Sequence, residues 1–182
     1  MKKSYLIFIT FIFLSSCNSI VKTIYDDTTA RYNAYFIANE EIKNIEEDYE
    51  KNLNQGFDSL IDLTYKIDTN QVSIIQERTQ NSIEKLSILI QRQTTSKYVY
   101  PSYALIGKSR LLNLNLKEAI TTLKYVNSKS NNNEANTMAL VYLLRAYTEN
   151  KDYNSAQEFD KFLTNREINE NLKFEYYKNS YN

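Results

Sequence analysis

The side chains best equipped to move protons fall in three short acidic runs, Asp26-Asp27, Glu40-Glu41 and Glu46-Glu47-Asp48. Paired carboxylates can divide acid and base roles when one of them is desolvated. Adjacent residues on a helix do not face each other, so the three runs read as helix caps or solvated helix faces. The run at Glu46 also lacks the alternating oxygen ligands and turn glycine of a calcium loop. The 182 residues include no His, which removes the commonest general base and every metal site or triad that needs an imidazole. Glycine occurs only at positions 56 and 107, too sparsely for a phosphate-cradling loop. The pattern predicts a protein that is not an enzyme and takes no metal, cofactor or small-molecule substrate.

One thiol remains, Cys17. It follows Lys2 and Lys3, the apolar run Tyr5 to Leu14 and the small residues Ser15 and Ser16. That order is the order of a cleaved signal peptide over residues 1–16. The run is too short to cross a hydrocarbon core, which takes about 20 residues as a helix. Leu14-Ser15-Ser16-Cys17 resembles a bacterial lipobox, which implies a thioether-linked diacylglycerol on Cys17 and cleavage just before it. A lone thiol has no disulfide partner within the chain, which suits that use. A cysteine lost with the signal, or one that pairs between molecules, is the competing reading. Two or three acyl chains anchor firmly where one is marginal. Loss of Lys2 and Lys3 from 22 basic residues against 22 acidic ones leaves a formal charge of −2, so neither electrostatic membrane adhesion nor a nucleic-acid partner is expected. Asn18 rather than Asp after the cysteine favours, by analogy, the outer membrane, and the residue does not say which face the protein occupies. Residues 17–27 are expected to form an acylated tether, of which residues 18–27 reach at most about 35 Å.

Helices must position these groups. Hydrophobic residues make up 42% of the chain, while two Gly and one Pro leave little turn material for a sandwich or barrel, so the expected class is all-α. From about Thr28 to Asn52, the positions Tyr32, Tyr35, Phe36, Asn39, Ile42, Ile45 and Tyr49 recur at spacings of three and four and predict one helical face. Asp27 or Thr28 would cap that helix and Gly56 would stop it. A second helix over 57–67 is expected to fold back on the first.

The remainder repeats. Ser82, Ala119 and Ala156 stand 37 residues apart, and the same offset relates Leu86 to Leu123 and Leu89 to Val126 to Leu163. Such a period marks stacked helical hairpins. The unit Tyr103, Ile106, Gly107, Arg110, Leu116, Ala119, Leu123, Val126 resembles a tetratricopeptide repeat. Leu140, Leu143, Leu144, Tyr147, Tyr153, Ala156 and Leu163 form a degenerate second unit, and Ser82 to Leu89 keeps only the second helix of a third. Gly107 inside a helix costs about 1 kcal/mol against Ala, which predicts a close helix contact there. Tyr103, Gly107, Ala119, Leu123, Leu140, Tyr147, Tyr153 and Ala156 are the predicted packing residues. The expected layout is N-terminal helices with the degenerate repeat over 28–95, then two repeats and a C-terminal helix over 96–182, stacked as a short right-handed solenoid. The last stretch carries Leu172, Tyr176 and Tyr177 at helical spacing without an evident cap.

Ala30, Arg31, Tyr32, Asn33, Tyr35, Phe36 and Asn39 stand apart, because an amphipathic helix does not require Arg31, Asn33 or Asn39. Structural pairing and direct partner contact both remain open for them. The segment TARYNAYFIANEEIK, Thr29 to Lys43, resembles the N-terminus of the SprE/PorW family of periplasmic tetratricopeptide-repeat lipoproteins. Tyr103-Ala104-Leu105-Ile106-Gly107-Lys108-Ser109 followed by Lys117-Glu118-Ala119-Ile120 resembles that family's first well-formed repeat. The likeness spans residues 17 to about 165, and the chain would be an N-terminal part or a short paralogue of those longer proteins. It implies an outer-membrane-anchored scaffold making protein-protein contacts within the type IX secretion and gliding-motility machinery. A helical lipoprotein of an outer-membrane glycan-uptake system and a non-functional fragment of a longer repeat protein are the alternatives. A hydrolase working through carboxylates alone would need two converging acids in a pocket.

Overall fold

The computed structural model describes residues 20–53 and 72–180. The expected signal peptide, Cys17, the Gly56 stop expected for the first helix and the expected 57–67 helix lie outside the described residues. Helix α1 (residues 20–30) passes through a π-helical turn, Arg31–Tyr35, into α2 (Phe36–Leu53). There follow α3 (Val72–Arg92), α4 (Val99–Leu112), α5 (Leu116–Lys129), α6 (Asn133–Glu149), α7 (Tyr153–Thr164) and α8 (Glu170–Ser180). Among the described residues there is no strand, and no helix is long and apolar enough to cross a membrane. The all-α expectation stands.

The 37-residue offset is a packing period. Ser82, Ala119 and Ala156 are all buried, as are Leu86 with Leu123 and Leu89 with Val126 and Leu163, so α3, α5 and α7 present equivalent faces to the core. The turns repeat as well. In Asn113-Leu114-Asn115 the middle residue has φ 57° and Asn115 N–H donates to Arg110 O; in Asn150-Lys151-Asp152 the middle residue has φ 59° and Asp152 N–H donates to Tyr147 O. Each left-handed residue closes one helix, and each following residue caps the next, Asn115 accepting from Glu118 N–H and Asp152 from Ser155 N–H. Three-residue turns force antiparallel neighbours, giving the hairpins α4/α5 and α6/α7, with α3 packed on α4 and α5 on α6. Pro101 lies in the first turn of α4, where its missing N–H costs nothing. At the C-terminal end α8, in the stretch where a C-terminal helix is expected, packs on α6 and buries Leu172.

Of the predicted packing residues, Ala119, Leu123, Leu140, Tyr147 and Ala156 are buried. Tyr147 stacks on Phe159 at 5.4 Å, and Tyr103 is half-buried with its ring edge on Tyr125 at 5.1 Å. Tyr153 is a correction: as the first residue of α7 it points outward and is 62% exposed.

The tether is also corrected. Over residues 20–27 the chain is helical, with no glycine or proline to interrupt it, and this helix is docked rather than free. Asp26 is buried and accepts from Thr95 Oγ1 at 2.7 Å, while Asp27 accepts from Ser96 Oγ at 2.9 Å and Lys97 N–H at 2.8 Å. Gln93 Nε2 donates to Thr29 Oγ1 at 2.9 Å. Asp27 therefore caps the turn leading into α4 and not its own helix, and Thr28 instead donates back to Ile24 O.

Candidate functional site

The segment that carries the family resemblance is organised by the π turn. Phe36 N–H donates to Arg31 O, a five-residue step that adds about one residue to the helical repeat. Ala30 and Ala38 are eight residues apart where two α turns take about seven, and the widened turn brings both onto the buried face with Ile42 and Ile45. The same shift turns Tyr32 and Phe36 outward, and both are more than half exposed. Their expected place on the core stripe is thus corrected. Arg31 and Asn33 are exposed beside them, with the Arg31 guanidinium 5.3 Å from the Tyr32 ring centre, and Asn39 is half-buried. Tyr35 alone of these aromatics faces inward, its ring 5.0 Å from that of Tyr98, and burial raises its hydroxyl above the usual tyrosine range. The predicted set therefore divides into inward Ala30 and Tyr35 and an outward patch of Arg31, Tyr32, Asn33 and Phe36.

A second cluster lies in the interior. Lys108 Nζ on α4 sits 2.6 Å from Glu46 Oε2 on α2 and 3.0 Å from Glu175 Oε1 on α8. Arg145 on α6 places Nη1 3.4 Å from Glu46 Oε1 and Nε 2.7 Å from Glu149 Oε1. Lys108 Nζ also lies 5.1 Å from the Tyr142 ring centre. Glu46, Lys108 and Arg145 are buried, so Glu46 is not part of a solvated face as its acidic run suggests. Asp48 and Glu41 are likewise engaged, both with Arg78 of α3 at 2.8 and 2.6 Å.

Burial works against the Lys108 charge, but Tyr142, Glu46 and Glu175 outweigh it and hold the ammonium well above its usual range. Burial raises the Glu46 carboxyl, with Lys108 and Arg145 opposing the rise. Glu175 is also subject to burial, yet Lys108 and Arg145 prevail and leave it below the usual range. The Tyr142 hydroxyl is pushed up to about 12, chiefly by burial. A cation locked between two carboxylates is a poor proton donor at neutral pH, and the cluster is enclosed by four helices. Its chemistry is that of a clamp: it ties α2, α4, α6 and α8 to one point.

Lys108, Arg145 and Glu175 are not among the site residues that the sequence pattern predicts. Lys108 follows Gly107 and Arg145 follows Leu144, one hairpin later at the same 37-residue offset. Two basic residues at one repeat position in the most apolar helices were the available signal, since a charge inside such a stretch requires a buried partner.

A groove of about 830 Å³ runs between the start of α6 and the α7–α8 turn, lined by Glu134, Thr137, Arg166, Glu167 and Lys173 among others. Its titratable side chains are exposed or half-exposed, so nothing there desolvates one acid relative to another. Comparison of the chain with protein-family models, curated proteins and solved structures finds no match in any of the three.

Proposed function

We propose that the protein is an acyl-anchored scaffold of the bacterial cell envelope that makes protein-protein contacts, in the type IX secretion and gliding machinery that the SprE/PorW resemblance implies. In this reading Cys17 carries the lipid, the hairpins α4/α5 and α6/α7 with α3 form a short tetratricopeptide-like stack, and the outward patch at the π turn meets a protein partner. The observation that carries the reading is the exposure of Tyr32 and Phe36 beside Arg31 and Asn33. Two aromatic rings and a guanidinium held rigidly in water are the residue types that dominate protein interfaces. The buried charges, by contrast, are occupied in holding helices together. No bond is made or broken after lipid attachment.

The test is an affinity capture of the full-length lipoprotein from its own envelope after mild crosslinking, comparing wild type with Tyr32→Ala/Phe36→Ala. Both substitutions fall on exposed side chains and should shift stability by less than about 0.5 kcal/mol. Recovery of type IX secretion components by the wild type, lost in the double variant, supports the proposal. Recovery of a glycan transporter complex, or equal recovery by both proteins, sinks it.

A further inference from the structure

Helix α1 is amphipathic with the wrong side out. At about 100 degrees per residue, Ile20, Val21, Ile24, Tyr25 and Thr28 fall on one arc of about 140 degrees, opposite the buried Asp26 and Ala30. The four large side chains of that arc are between 56% and 67% exposed. Asp26, Asp27 and Thr29 are turned inward instead, where they are held by Thr95, Ser96, Lys97 and Gln93. The docking clasp therefore fixes the apolar arc outward, and a soluble helix would gain nothing from that orientation.

We infer that this arc is the protein's membrane-contact surface, seated in the headgroup and upper acyl region of a lipid bilayer. The inference rests on the lipid anchor proposed for Cys17 and adds what the anchor alone does not specify, a fixed orientation. Only Asn18 and Ser19 separate Cys17 from Ile20, a reach of at most about 11 Å even fully extended. An acyl group on Cys17 thus holds the first turn of α1 within the depth of the interface, where amphipathic helices bury their apolar faces about 5–10 Å. The arc carries no acidic or basic residue and one Tyr, a ring suited to the headgroup level, while Lys22 lies beside it. The helix is clasped to the α3–α4 turn, so seating it orients the whole bundle on the membrane. Tyr32 and Phe36 stand about 10 and 16 Å further along the axis from Tyr25.

The test uses the full chain, produced in a bacterium that acylates lipoproteins and reconstituted in phosphatidylethanolamine/phosphatidylglycerol vesicles, with Cys17 acylation read by mass spectrometry. An environment-sensitive fluorophore is placed at Ile24→Cys, and in a control at the exposed α7 residue Gln157→Cys, with nitroxide-bearing acyl chains as quencher. The expected result is blue-shifted emission at position 24, quenched at least threefold more than at 157. Water-like emission at position 24 on an acylated protein overturns the inference and leaves the anchor standing. Blue-shifted emission without acyl-chain quenching also overturns it, because another protein surface would then be covering the arc. Unmodified Cys17 overturns the anchor and this inference together.

Discussion

Lys108 and Arg145 occupy the same position of successive hairpins, and both reach one carboxylate, Lys108 Nζ at 2.6 Å from Glu46 Oε2 and Arg145 Nη1 at 3.4 Å from Glu46 Oε1. The repeat thus delivers two cations to a point where an N-terminal helix supplies the anion. Replacing Lys108 by Met leaves Glu46 and Glu175 enclosed with less compensation, which should cost about 3–5 kcal/mol in urea unfolding. Removing the whole three-way contact, Glu46→Leu/Lys108→Met/Glu175→Leu, should recover most of that loss, since Arg145 keeps Glu149 at 2.7 Å. A triple variant as unstable as Lys108→Met would show that the network stabilises the fold beyond offsetting its own desolvation.

Alkaline pH should act through the same cluster. The Tyr142 hydroxyl is raised from its ordinary 10.0 to about 12, so between those values the unfolded chain has released a proton that the folded protein still holds. Its contribution is complete below pH 10 and falls as pH rises through 12, by about 3 kcal/mol over two units. Lys108, also raised, adds a loss that begins above 10.5. In Tyr142→Phe the first contribution is gone while the ring remains, so chemical denaturation should show a shallower decline between pH 10 and 12 than in wild type. Identical pH profiles for the two proteins would exclude Tyr142 as the source.

Gly107 is a measurable fit rather than a tolerated weakness. A Cβ at that position would stand 2.5 Å from Leu123 Cδ2 and 2.6 Å from Leu123 Cγ, and Leu123 is fully buried. Gly107→Ala gains about 1 kcal/mol in helix propensity and loses about 1–3 to overpacking, for a net loss of up to about 2 kcal/mol. In a Leu123→Ala background the space is open, and the same substitution should become neutral or stabilising. A double-mutant cycle by thermal unfolding reads the sign change directly, and additive effects would contradict the contact.

The parts of the fold that were legible in the sequence are those set by side-chain size at a fixed period. Ala119 with Ala156, Leu86 with Leu123, and Val126 with Leu163 recur because each hairpin must present the same small or branched group to the next. Tyr32 and Phe36 leave the stripe that a single helical repeat predicts, because a π turn changes that repeat through backbone hydrogen bonding alone. The acidic run alone places Glu46 on a solvated face, because its partners Lys108, Arg145 and Glu175 come from three other helices and only tertiary packing brings them together. Local sequence suggests Asp27 as a cap of its own helix for the same reason: its partners, Ser96 and Lys97, are distant in sequence and near only once α1 docks.

That docking supplies the last expectation. Asp27 makes two bonds to the turn before α4, one of them to the Lys97 backbone N–H at 2.8 Å, and a carboxylate capping a backbone donor is worth about 1–2 kcal/mol. The bonds to Asp26 and Thr29 are one each, at 2.7 and 2.9 Å. Asp27→Ala should therefore loosen α1 from the α3–α4 turn while α4 to α7 keep their own packing. Hydrogen exchange should speed up at the amides of residues 20–30 and 96–98 by roughly 10-fold, as expected for a local opening made easier by about 1.4 kcal/mol, with little change in α5 and α6. Asp27→Asn, which keeps an acceptor, should retain most of the protection. A uniform rise in exchange across α4–α7 would mean instead that the clasp is part of the global folding unit.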